Sequence, residues 1–195
     1  MSDDLTTIRR QDRAVEDEAW IRAFLRRAAV GTLATARDDQ PFLHTNLFVY
    51  DESTHCIYLH SARTGRTPDN LAANGAVCFS VMEMGRLLPA DEALEFSVEF
   101  ASVIVFGQVT LVRDEDEAAR ILQRLLDKYA PHLQPGADYR PPIMSEIKRT
   151  AEYRLAIEAW SGKRKEVPAD FPGAYWYAAT PMLTSRQSAD RNLRE

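Results

Sequence analysis

The chain has 195 residues, 45% of them hydrophobic, and a formal net charge of −5. Such a length suits one domain with appendages and buries a sizeable core without metal or disulfide support, and the apolar content excludes wholesale disorder. No Lys/Arg block stands apart from acidic neighbours, which argues against nucleic acid as a partner.

The N-terminal stretch MSDDLTTIRRQDRAVEDEAW has no apolar core behind positive charge, and no apolar run is long enough to cross a membrane. A cytoplasmic protein with no membrane partner is expected. Residues Glu16 to Ala29 place Trp20, Phe24, Leu25 and Ala28 at helical spacing, which predicts an amphipathic helix covering one end of a sheet or barrel. Three short strands follow, Val30 to Ala36, Pro41 to Tyr50 and Cys56 to Ser61. They are joined by the polar turns Arg37-Asp38-Asp39-Gln40 and Asp51-Glu52-Ser53-Thr54, a spacing that favours antiparallel neighbours. In the second of these strands one parity carries Leu43, Leu47 and Val49 and the other Phe42, His44, Asn46, Phe48 and Tyr50. The first face suits a core and the second a ligand.

After Ser61 the chain reads ARTGRTPDNLAANGAV. Gly65 can supply a left-handed turn, Pro68 can sit in a first helical turn, and Asn74-Gly75 can end a short helix. Ala76 to Leu87 and Phe96 to Val112 read as longer strands, with Gly107 marking a bulge or a close approach of another backbone. Asp114, three residues before Glu117, opens the most regular helix, whose apolar residues run to Tyr129 and which is read as a packing element. A proline-rich connection ends near Thr150, where TAEYRLAIEAW resumes strand alternation. Tyr153, Leu155, Ile157 and Ala159 share one face; Glu152, Arg154, Glu158 and Trp160 share the other. A tryptophan on a solvated face needs a partner chain or a ligand to cover it. Residues 1–165 are read as one domain. Residues 166–195, with the Tyr175-Trp176-Tyr177 cluster, are read as a tail that packs on a partner subunit and frays at its end.

The chemistry is sparse. His44, His55, His60 and His132 lack the spacing of a metal site, so no metal is expected. Cys56 and Cys78, each in an apolar run, read as buried thiols of a reducing compartment. There is no G-x-S-x-G elbow and no Rossmann or Walker glycine pattern. If the chain is an enzyme, a cofactor must supply the reactivity.

The order GTLAT, PFLHTNLFVY, IYLHSARTGR, VCFSV, SVIVFGQV and AIEAWSGK resembles the pyridoxamine 5'-phosphate oxidase-related, FMN-binding split-barrel family, in particular its nitroimidazole-resistance branch. The resemblance runs from about Ala14 to Lys165. It implies a mainly β fold, an antiparallel split β-barrel of six strands with flanking helices, assembled as a homodimer with FMN at the interface. It places the flavin ring along His44, Thr45, Asn46 and Leu47, and the phosphate near His60, Ser61, Gly65 and Arg66, with Arg63 from the same loop. Ser102, Trp160 and Lys163 match positions near the flavin, partly from the other subunit. The function implied is FMN-dependent redox chemistry on a small organic molecule, with NAD(P)H as a candidate hydride source. Two other readings stand beside it: a flavin- or haem-binding or sensing protein without turnover, and a cofactor-free interaction module. After Trp160 the chain reads SGKRKEVPADFPG, without the arginine-and-histidine substrate motif of pyridoxamine phosphate oxidases proper.

Overall fold

A computed structural model describes residues 5–177. Its strands are β1 (Ala14–Val15), β2 (Gly31–Arg37), β3 (Gln40–Asn46), β4 (Val49–Asp51), β5 (Cys56–Ala62), β6 (Ala76–Leu88), β7 (Ser97–Leu111) and β8 (Thr150–Lys165). Its helices are α1 (Glu18–Arg27), α2 (Arg66–Ala73), α3 (Glu115–Tyr129) and the single turn α4 (Met144–Ile147). Seven strands lie in the order β3-β2-β6-β7-β8-β5-β4, and β1 pairs with β8. The sheet therefore has eight strands, not the six expected, because the chain ahead of α1 adds β1 and the run 41–50 divides into β3 and β4.

That division joins the two ends of the strand order. β3 and β4 stand at opposite ends of the strand order, yet only Leu47 and Phe48 separate them in the chain. Phe48 is fully buried there, edge-on to Phe79 at 4.9 Å between ring centroids. Around this pair lie Phe24 and Leu25 of α1, Leu33, Leu59, Val103, Val105 and Leu155, all without solvent exposure. Each such side chain contributes roughly 1.5–3 kcal/mol by leaving water.

Local rules explain the element ends. Asp17 caps α1 by accepting from the N–H groups of Ala19 and Trp20, and Asp114 caps α3 by accepting from Glu117 N–H at 2.7 Å. Pro68 lies in the first turn of α2 and Asn74 ends that helix. The β2–β3 hairpin turns on Asp38 and Asp39, both left-handed (φ 51° and 59°), the backbone a two-residue hairpin of matching twist requires. Both cysteines are free thiols. No described helix is long and apolar enough to cross a membrane.

Two face assignments are corrected. On β3 and β4 it is Phe48 and Tyr50 that enter the core, whereas Leu43 is 65% exposed and Leu47 46%. Leu43 sits on the outer face of the edge strand, where alternation alone cannot say which side is covered. On β8, Trp160 packs against the core and Glu152 is buried. The register of β7 and β8 shifts here: Phe106 pairs with Ala159 but Gly107 pairs with Ile157, so Glu158 is the extra residue. One extra residue reverses every later side chain, which turns Trp160 inward. Gly107 is needed opposite it, since a β-carbon there would lie 2.0 Å from the Ala156 carbonyl oxygen.

The described chain falls into two compact units, residues 5–83 with 100–165, and residues 84–99 with 166–177. The second is held by Arg86 and Glu99. The Arg86 guanidinium donates to both Glu99 carboxylate oxygens, at 2.7 and 2.8 Å, and to the carbonyls of Val167, Pro168 and Ala169. Glu99 also accepts from Val167 N–H at 3.0 Å, and Leu87 exchanges backbone hydrogen bonds with Tyr175. The expected fraying of the chain's end concerns residues outside those described.

Two outcomes follow from these contacts. Gly107→Ala should lose about 1–3 kcal/mol or more in urea unfolding, because backbone cannot yield to the added methyl as a side chain would; an unchanged midpoint would show that the close approach is not there. Arg86→Ala should make segment 166–177 the first site of limited proteolysis while the core of the first unit stays resistant. The Arg86 guanidinium, with the Val167 N–H, holds the Glu99 carboxyl down to about 2 from 4.5. Its stabilisation is therefore complete above about 4.5 and lost as the pH falls through about 2, so wild type should become protease-sensitive at this segment over that range.

Candidate functional site

The inner face of β3 carries Phe42, His44 and Asn46 at the open edge of the sheet, half-buried rather than sealed. With β5 and the segment before β8 they bound a cleft of about 560 Å³ lined by His44, Asn46, His60, Ser61, Glu146, Arg149 and Thr150. α2 holds one wall. Thr67 Oγ1 lies 3.0 Å and Asn46 Nδ2 3.3 Å from His44 Nδ1. Buried Asn70 donates to Thr35 Oγ1 at 2.9 Å, tying α2 to β2 behind this wall.

His60, on β5, pairs across the ladder with Glu152 of β8. Its Nδ1 is shut off from solvent and has no hydrogen-bond partner among the described residues. Such an atom costs roughly 1–3 kcal/mol unless something satisfies it, so it marks a place where a ligand or water gains a hydrogen bond. Buried Glu152 accepts instead from the Thr150 hydroxyl.

The remaining expected residues divide among several places. Thr45 turns to the other face of β3 and meets Thr32 Oγ1 at 3.2 Å. Gly65 (φ 122°) and Arg66 open α2 beside a second cavity of about 420 Å³, with the Arg66 guanidinium 5.2 Å from the Phe42 ring. Phe42 and Asn46 lie about 13 Å apart along β3, so the two cavities follow one strand face. Arg63 instead lines a cavity between α2, β7 and β8 and donates to the Ile147 carbonyl at 3.4 Å. Ser102 and Lys163 are cross-strand neighbours outside the cleft. Trp160 lies among His55, Tyr50 and Arg22, its ring 4.6 Å from His55 and 5.0 Å from the Arg22 guanidinium.

The comparisons with known proteins agree on this architecture. The family described as pyridoxamine 5'-phosphate oxidase matches residues 17–164. The chain belongs to the pyridoxamine 5'-phosphate oxidase family. Similar solved structures include the flavocytochrome Anf3 from Azotobacter vinelandii (TM-score 0.74, 24% identity, covering 91% of this chain and 87% of that one). A FAD- and haem-binding protein from Mycobacterium smegmatis is also similar (TM-score 0.70, 19% identity, 90% and 96% covered). So is a candidate 5-nitroimidazole antibiotic resistance protein from Bacteroides thetaiotaomicron (TM-score 0.63, 19% identity, 78% and 90% covered). At these identities they show the fold, a split barrel of this family. No curated protein matches the chain.

Within this family fold, sequence reasoning missed Arg149, Glu146 and Thr150: Glu146 lies on the single turn α4, Thr150 opens β8 and Arg149 stands between them, a stretch too short to show a period. It also missed Lys128 and Tyr129 at the end of α3. The Lys128 ammonium donates to the carbonyls of Ala28 (2.8 Å) and Phe48 (2.9 Å) and lies 3.9 Å from the Phe48 ring centroid. The Tyr129 hydroxyl donates to Ala29 O at 2.7 Å and accepts from Phe48 N–H at 3.0 Å. Together they fix the Leu47–Phe48 corner at the end of β3.

Burial pushes Lys128 down to about 8 from 10.5. Between those values the unfolded chain holds a proton the folded chain has released, so stability rises with pH across that interval. Urea midpoints measured from pH 8 to 10 should show this rise in wild type relative to Lys128→Met; parallel curves would mean that Lys128 is not desolvated.

Proposed function

We propose that the chain is an FMN-dependent oxidoreductase acting on a small organic molecule, working as a homodimer with NAD(P)H as a hydride source. The observation that carries this reading is the polar face His44–Asn46 on β3 opposite His60, whose buried Nδ1 has no partner among the described residues. A flavin ring edge presents donors and acceptors that suit such a face, and about 560 Å³ lies within the range of cofactor sites. His44, Asn46, His60, Ser61 and Arg149 would hold the ring system, and Gly65 with Arg66 the phosphate, where a guanidinium and a helix start both favour an anion. Bound flavin would supply hydride and electron transfer, and the protein would orient it.

The dimer is supported by Val30, Leu43 and Met82, which lie on β3, β6 or beside β2 and are 46–65% exposed. Ser102, Trp160 and Lys163 stand outside the cleft of one chain, so their contact with flavin would come through the second copy, as would any packing of the 166–195 tail on a partner. A second reading, a flavin or haem carrier without turnover, draws on the relatives from A. vinelandii and M. smegmatis, whose names include both cofactors or a flavocytochrome.

Titration of the flavin-free protein with FMN should give one site per chain. His44→Ala, Asn46→Ala and Arg66→Ala should each weaken it about tenfold or more, while the surface change Leu94→Ser leaves it unchanged. Anaerobic NAD(P)H should then bleach the bound flavin. Full FMN binding with no reduction by either nucleotide would favour the carrier, and FMN affinity indifferent to all three substitutions would remove the cleft from consideration.

A further inference from the structure

Beside the polar cleft lies a further cavity of about 360 Å³. Leu47, Leu122, Leu126, Tyr129 and Pro142 form its apolar wall, and it meets the cleft at His60, Glu146 and Thr150, which line both. Leu122 and Leu126 stand one turn apart on α3, outside the stripe of Ala118, Ile121 and Leu125 that this helix buries. Both are half-buried; Leu122 also packs against the buried cluster of Cys56, Tyr58, Ile121 and Leu125, and Leu125 lines the cavity beside them. The Tyr129 hydroxyl is committed to Ala29 and Phe48, so this residue has only its ring to offer. Glu146 brings its own counter-charge: one carboxylate oxygen accepts from Arg140 at 2.6 Å and the other from Ile143 N–H at 3.1 Å. The wall is thus apolar and compensated in charge, with His60 as the polar group at its mouth.

We infer that this cavity is the substrate pocket, taking the body of a neutral molecule of one or two rings that carries a hydrogen-bonding atom opposite His60. The inference rests on the neighbouring cleft being the flavin site, since it is the shared His60–Glu146–Thr150 boundary that would bring a ligand's polar end to the cofactor. The size agrees: an apolar cavity of about 150 Å³ accommodates benzene, so about twice that volume suits two fused rings. A charged ring substituent would lose its hydration against leucine and proline without gaining an unpaired counter-ion on the wall. α3 is therefore more than a packing element, because Leu122, Leu125 and Leu126 also line this cavity.

The test is calorimetric titration of the full chain, with and without added FMN, using 2-naphthol as the probe. Wild type should bind it, and Leu122→Trp and Leu126→Trp, which fill the cavity, should each weaken binding at least tenfold with the thermal midpoint unchanged. His60→Phe should weaken 2-naphthol but not naphthalene. Should a tryptophan variant fail to fold, magnetisation transfer from 2-naphthol to the Leu122 and Leu126 methyls of wild type answers the same question. Flavin content is read separately from visible absorption. Flavin bound with no 2-naphthol binding, or binding indifferent to both tryptophans, overturns the pocket. Cavity-dependent 2-naphthol binding in a chain that takes no flavin keeps the pocket and overturns the flavin reading instead.

Discussion

The corner at Leu47–Phe48 is the constraint on which the rest depends. Two residues join the strands at opposite ends of the sheet order, and the geometry holds only if the Phe48 ring is buried and its backbone groups are satisfied. Burial supplies roughly 2 kcal/mol for the ring itself. Leaving its N–H or C=O unpaired would cost a comparable amount for each group. Lys128 and Tyr129 remove that cost from the far end of α3, some eighty residues along the chain. Because β3 ends at this corner, the same contacts set where His44 and Asn46 stand.

This arrangement joins stability to function through one strand. The outer face of β3 leaves leucines exposed, its inner face supplies the polar side chains of the cleft, and its end is fastened to the helix whose Leu122 and Leu126 wall the adjoining cavity. A change at the corner would therefore displace His44 and Asn46 as well as loosen the barrel. The second unit depends on a different device, the Arg86–Glu99 pair and the carbonyls it gathers.

Much of the fold was legible because local signals were strong: the cap at Asp114, the turn at Asp38-Asp39, the short helix between Gly65 and Asn74, and the close approach at Gly107 all stand where residue chemistry places them. What could not be read was which side of a strand is covered. Alternation in PFLHTNLFVY separates two faces but does not say which of them a barrel encloses, and the two-residue corner at Leu47–Phe48 changes strand midway. Trp160 was misplaced for a related reason, since an extra residue at Glu158 has no sequence signature and reverses the pattern after it. Of the site, His44, Asn46, His60 and Ser61 were legible as polar residues in strands and do line one cleft. Arg149, Glu146 and Thr150 were not, because a one-turn helix and the first residue of a strand are too short for any period to show.

The central claim is that the face of β3 opposite His60 holds a flavin. The visible absorption spectrum of the purified protein, followed by acid release and mass identification of what it carries, tests this most directly. The account predicts a yellow protein that releases one FMN per chain, or a colourless one that becomes yellow and stoichiometric on adding FMN; a protein that stays colourless with excess FMN would contradict it.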